Sequence, residues 1–196
     1  LRQLASRRVE GLEDLPDEEI VAMCQKELPA DLTAYRELLR RYEGLVFNTC
    51  NKLLGSPTDA EEVAQDAFVQ LLRYWPRVSR HELPEAWVRR VAVRLAVRSV
   101  RRDQRLTSAL ARSAPPPTVV ADPAEAATSA DVLAALGRLP GKQRAAAVLF
   151  YFEDRPLDEI AELLDCSPST AGVHLHRART RLGELLGEEV VGDVAR

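Results

Sequence analysis

Apolar positions along most of this chain recur at steps of three and four, the spacing of one face of an α-helix, and no run shows the Val/Ile/Thr alternation of strands. The spacing predicts a first helix over 16–27, opened by Pro16, with Asp17, Glu18 and Glu19 in the first turn where the helix dipole favours acids. A second, from Asp31 to about Leu54, carries Leu32, Tyr35, Leu38, Leu39, Tyr42, Leu45, Val46 and Thr49 on one face and stops at Gly55. Ser56-Pro57 then supplies a cap and a helix-compatible first residue for a third. Its stripe runs through Ala60, Val63, Ala64, Ala67, Phe68, Leu71, Leu72 and Trp75 until Pro76 ends it. A short polar loop, Arg77 to Pro84, leads to a fourth helix whose apolar face is Trp87, Val88, Val91, Ala92, Leu95 and Ala96.

After Arg105 the pattern breaks. Residues 106–128 hold four prolines among mostly small residues and no stripe long enough to pack, which predicts a flexible Pro/Ala-rich linker, partly extended where three prolines adjoin. Two small helical domains follow, 16–105 and 129–196, preceded by a loosely ordered extension over 1–15; the class is all-α. In the second domain Leu133 and Leu136 face inward in a short helix, and Gln143 to Phe152 is apolar enough to be central. Leu157, Ile160, Ala161 and Leu164 make a short helix, Asp165-Cys166-Ser167 a tight turn, and Ser167-Pro168 a cap and first residue for a longer helix that buries Ala171, Leu175, Ala178 and Leu182. This is the helix-turn-helix pattern, whose second helix enters the major groove with its N-terminal side chains toward the bases. Thr170, Gly172 and His174 are placed to meet bases, and Arg177, Arg179 and Arg181 suit phosphates.

Charge sharpens the picture of the fourth helix. Arg90, Arg94, Arg98, Arg101 and Arg105 recur at steps of four, four, three and four, so they share one side of it. From Arg77 to Arg105 there are nine arginines against three acids, in a chain of formal net charge −3. Like charges at such spacing repel, and a polyanion removes that penalty, so the stripe reads as a nucleic-acid contact. The polar side of the third helix is acidic instead, with Asp59, Glu62 and Asp66 flanked by Glu61 and Gln65. Two neighbouring helices with opposite charge can serve two partners.

Composition excludes several classes. Three cysteines, widely spaced and without a C-x-x-C pair, predict reduced thiols and a cytoplasmic location. No apolar run approaches the roughly 20 residues of a membrane span, so no membrane insertion is expected. A chain that opens on Leu reads as one that starts inside a longer product. His174 and His176 lie two apart, point to different sides of their helix and have no third ligand, so no metal is expected. Glycine-rich phosphate loops, nucleophile elbows and clustered acid/base pairs are absent, which predicts a non-enzyme without cofactors.

At this point the residues resemble a known family, the bacterial sigma factors of the extracytoplasmic-function class. DAEEVAQDAF (59–68) is similar to that family's polymerase-binding helix, and PEAWVRRVA (84–92) to its minus-ten helix. LGRLPGKQR (136–144), EIAELL (159–164) and STAGVHLHRARTRL (169–182) are similar to the domain that binds the minus-thirty-five element. The resemblance implies a protein that binds core RNA polymerase through Asp59, Glu62, Gln65 and Asp66. It implies minus-ten contacts from Arg77, Arg80, Trp87, Arg90, Arg94, Arg98 and Arg101, with a base pocket in the loop 77–83. Minus-thirty-five contacts would come from Ser169, Thr170, Gly172, His174, Arg177, Arg179 and Arg181. It further implies promoter DNA and an anti-sigma factor as partners. Arg94 and Arg98 stand where the family usually carries Asn and Asp, Gly172 and His174 where it usually carries Lys and Arg, and Asp165 replaces the usual turn Gly. The competing expectation is a free-standing helix-turn-helix repressor or activator, which leaves the Arg stripe and the acidic face without a role.

Overall fold

A computed structural model of the chain describes residues 11–81, 83–111 and 129–187, and all regular structure in these is α-helical. The helices are α1 (Asp17–Glu27), α2 (Thr33–Leu54), α3 (Pro57–Arg73), α4 (Trp75–His81), α5 (Pro84–Ala111), α6 (Ser129–Arg138), α7 (Gly141–Tyr151), α8 (Leu157–Leu164) and α9 (Pro168–Leu186). They group into two compact units, one made of the chain up to Asn51 with Ser56–Ala92, the other of Lys52–Gly55 with the chain from Val93 onward. The division falls inside α2 and α5, so each of these helices contributes one end to each unit.

In the first unit the predicted stripes become the core. Ile20 and Cys24 of α1, Leu38 and Val46 of α2, Ala60, Ala67 and Leu71 of α3, and Val88 and Ala92 of α5 are all essentially inaccessible. Local capping sets the helix starts: Asp31 accepts the Thr33 amide at 2.8 Å, and the Ser56 hydroxyl accepts the Asp59 amide at 3.3 Å ahead of Pro57. Tyr35 ties α2 to α3 by donating to the Phe68 carbonyl at 2.6 Å, and its ring meets Trp75 edge-on at 5.9 Å. Three expectations change here. Trp75 belongs not to α3 but to α4, because Pro76 sits in the first turn of a new helix, where a missing amide costs nothing. Residues Arg77–His81 are therefore helical rather than a loop; Glu82 lies outside the described residues. Leu32 is 39% exposed, since the helix starts after it. The stretch 11–15 is also anchored, with Leu12 buried and its carbonyl accepting from Arg41 at 2.8 Å; residues 1–10 lie outside the described residues.

In the second unit α7 is central, with Ala145, Ala146, Ala147, Val148 and Leu149 fully buried. Leu136 and Leu139 pack inward, but Leu133, expected inside, is 53% exposed. Arg144 is buried, and its guanidinium donates to the Leu53 carbonyl at 3.0 Å and to the Gly137 carbonyl. It thereby satisfies carbonyls that the ends of α2 and α6 leave open. Helix α5 runs to Ala111, past the predicted start of the linker at 106; residues 112–128 lie outside the described residues.

Candidate nucleic-acid interface

The helix-turn-helix forms as the spacing requires. Ile160, Ala161, Leu163 and Leu164 bury one side of α8, and Asp165 closes it in the left-handed conformation at φ 54°. Asp tolerates that region better than most residues. The Cys166 amide then reaches back to the Ala161 carbonyl at 3.0 Å, and the Ser167 hydroxyl accepts the Thr170 amide at 3.2 Å to start α9 behind Pro168. Ala171, Leu175, Ala178 and Leu182 face the core.

The outward side of α9 is consequently Ser169, Thr170, Val173, His176, Arg177, Thr180 and Arg181, all exposed. The structure brings Ser169, Thr170, Arg177 and Arg181 together on that face. It does not bring Arg179 there: the Arg179 guanidinium donates to the Tyr151 hydroxyl and lies over the Phe150 and Tyr151 rings at 5.4 and 5.5 Å. Gly172 and His174 sit on the partly covered flank, with Nδ1 of His174 buried and unpartnered. Burial, then the cations Lys142, Arg177 and Arg101, hold the His174 imidazole below its ordinary value, so it is neutral near pH 7. Val173, 44% exposed, and His176 were missed, although counting three and four from the buried positions places both on the open face. An exposed valine there suits a thymine methyl group.

On α5, Val88, Ala92, Val93, Ala96, Val97 and Val100 are buried, and Arg98, Arg101 and Arg105 are exposed on the other side. Arg90 and Arg94 are half-buried, and Arg94 reaches Asp165 at 3.2 Å, an acid the local sequence does not reveal. Arg89 pairs instead with Glu85, one turn earlier. Trp87 is half-buried against Tyr74, ring centres 6.1 Å apart, and Arg77 and Arg80 are exposed on α4. On α3, Asp59, Glu62, Gln65 and Asp66 all face outward, and no ion pair engages them among the described residues.

Two family models match this chain, Sigma-70 region 2 over residues 38–106 and Sigma-70, region 4 over residues 129–182. The first takes in the acidic and basic helices, the second the helix-turn-helix. The chain belongs to the extracytoplasmic-function RNA polymerase sigma factors. It is 26% identical over 169 residues to the ECF RNA polymerase sigma factor SigW of Bacillus subtilis, covering 80% of this chain and 90% of that protein. It is 29% identical over 173 residues to the ECF sigma factor SigE of Mycolicibacterium smegmatis, covering 81% of this chain but 64% of that longer protein. Its fold is similar to that of the sigma factor RpoE of Bartonella quintana, solved in complex with the anti-sigma factor NepR, with a TM-score of 0.56, 21% identity and coverage of 78% and 96% of the two chains.

As a sigma factor it recognises promoters and regulates transcription initiation. The two matched regions divide the charged surfaces between them: the Arg side of α5 and the acidic side of α3 fall in region 2, the outward face of α9 in region 4. Among the described residues no helix is long and apolar enough to cross a membrane, and no group of His, Cys, Asp and Glu comes together as a metal site.

Proposed function

We propose that this sigma factor divides its work by helix face. Asp59, Glu62, Gln65 and Asp66 on α3 dock on core RNA polymerase. Arg77 and Arg80 on α4, with Trp87, Arg90, Arg94, Arg98 and Arg101 on α5, hold the minus-ten element as it opens, the cations tracking the backbone and the Tyr74–Trp87 pair offering a surface to an unstacked base. Ser169 and Thr170, with Val173, read the minus-thirty-five duplex from α9, while Arg177 and Arg181 hold its phosphates. Arg179 and His174 support α9 rather than touch bases, and Gly172 offers no side chain to either. The two matched regions, 38–106 and 129–182, lie on one chain, and two DNA-binding modules so joined gain affinity by effective concentration. The observation that carries this reading is the exposed, unpaired acidic face of α3 on the same chain as two basic DNA-type faces.

The chain works in the cytoplasm and performs no catalysis itself; bond formation belongs to the polymerase. An anti-sigma factor is a partner, supported by the likeness in fold to a sigma factor solved with one. Run-off transcription with purified core polymerase over a promoter library tests the whole reading. Specific initiation is expected only when both are present. A mobility shift on duplex promoter DNA without polymerase, at the affinity of a repressor, would overturn it.

A further inference from the structure

The C-terminal half of α5, the first turn of α7 and the flank of α9 line an open cleft of about 510 Å³. Its cations are Arg101, Arg105, Lys142 and Arg177, and no carboxylate is among its lining residues. Gly141 lets α7 come this close: a Cβ there would lie 3.0 Å from the Val97 carbonyl oxygen. At the same point α7 begins behind Pro140 without a side-chain cap, so its first amides and the positive end of its dipole point out of the helix at the cleft wall. Lys142 is held at the rim by donating to the Leu164 carbonyl at 3.0 Å. Gln143 Oε1 and His174 Nδ1 are buried in the wall without a protein partner. Four cations around one concavity repel one another, a penalty that a bound polyanion removes.

We propose that this cleft binds an oligophosphate, the charge-dense chain shared by nucleoside polyphosphates and inorganic tripolyphosphate. The volume lies in the range of small-ligand sites and exceeds what one phosphate fills. Apart from the His174 imidazole, whose Nδ1 is buried in the wall, the lining has no Phe, Tyr or Trp ring on which a base could stack, so recognition falls on the phosphate chain. Two ordinary anion devices converge here, a helix N-terminus and a set of cationic side chains.

Isothermal titration calorimetry on the full, free chain tests this with tripolyphosphate, ATP, GTP and inorganic phosphate. Tripolyphosphate is expected to bind about tenfold or more tighter than inorganic phosphate, and to weaken as salt rises. ATP and GTP equal to tripolyphosphate would mean that the phosphate chain alone is read; tighter nucleotides would identify a nucleoside polyphosphate as the ligand. Lys142→Gln should weaken binding several-fold, and Gly141→Val, which pushes α7 from α5, should abolish it. If Gly141→Val fails to fold by circular dichroism, Lys142→Gln with Arg105→Gln serves in its place. Tripolyphosphate binding no tighter than phosphate, or binding unchanged in Lys142→Gln, would overturn the proposal. Arg101 and Arg177 are also assigned to promoter DNA above, but oligophosphate binding by the free chain does not rest on that reading. Calorimetry without DNA or polymerase can therefore fail while run-off transcription succeeds, and the reverse.

Discussion

Glu37 has no accessible surface, yet it is ionised and fully engaged. Arg40 donates to it twice, at 2.9 and 2.6 Å, and Arg41 at 3.0 Å; Arg41 continues to Asp17 at 2.6 Å, and Tyr42 donates to the same Asp17. The network ties α1 to α2 through charge where the apolar pattern alone leaves the pairing open. Hydrogen bonds from Arg40 hold the Glu37 carboxyl below its ordinary value, outweighing its burial. Since the folded value lies below the unfolded one, its stabilisation is complete above the unfolded value and fades as pH falls through the folded one. Glu37→Gln should cost about 2–3 kcal/mol in urea denaturation at pH 7, less than a fully orphaned buried charge because Arg40 keeps some access to water. It should also flatten the acid limb of stability against pH; an unchanged limb would assign that limb to other carboxylates. A glutamate with arginines three and four residues on reads in sequence as an ordinary surface ion pair, because the link from Arg41 to Asp17 of α1 comes only with the tertiary fold. Asp165 was legible by contrast, since a left-handed turn is a local property of the chain.

Helix by helix, the starts were the most legible feature, because Ser56-Pro57 and Ser167-Pro168 encode cap and first turn together. The same rule was misapplied at Trp75-Pro76, where proline read as a stop also begins α4. On α9 the buried face was fully legible, but Thr170, Gly172 and His174 follow from nearness to the helix start rather than from counting off that face. This produces a prediction at the level of the element. Arg177→Ala should weaken the minus-thirty-five duplex about equally in all sequences and lower the salt slope by about one, whereas Val173→Ala should change preference at one base pair by about 1 kcal/mol. Holoenzyme binding to a panel of minus-thirty-five variants measures both, and equal losses from the two changes would remove the reading role of Val173. On α3, Glu62→Arg with Asp66→Arg should alter stability by no more than about 0.5 kcal/mol each, both being exposed. Co-purification with core polymerase should nevertheless fall sharply. Wild-type yield of the complex would return that face to solvent.

For the molecule as a whole, the order of acidic helix, basic helix and helix-turn-helix was readable from the sequence because each depends on local spacing. The partner of Arg94 was not, since Asp165 lies far along the chain. That pair is half-buried at Arg94 and open to solvent at Asp165, so it contributes little to stability and Arg94 is available to another anion. Replacing Arg94 and Arg98 by Ala keeps helix propensity and relieves repulsion along α5, and the fold should be unharmed. Binding to core polymerase should survive, because it uses α3. Initiation on duplex promoter should fall by an order of magnitude or more, about the loss of two charge-assisted phosphate contacts. A template already mismatched across the minus-ten region should recover much of that loss, since strand separation no longer has to be driven by the arginines. A repressor with a solvated stripe would show neither effect. Run-off yields from the two templates, each relative to wild type, decide the matter: an equal ratio on duplex and pre-opened DNA would leave Arg94 and Arg98 without a part in opening the promoter.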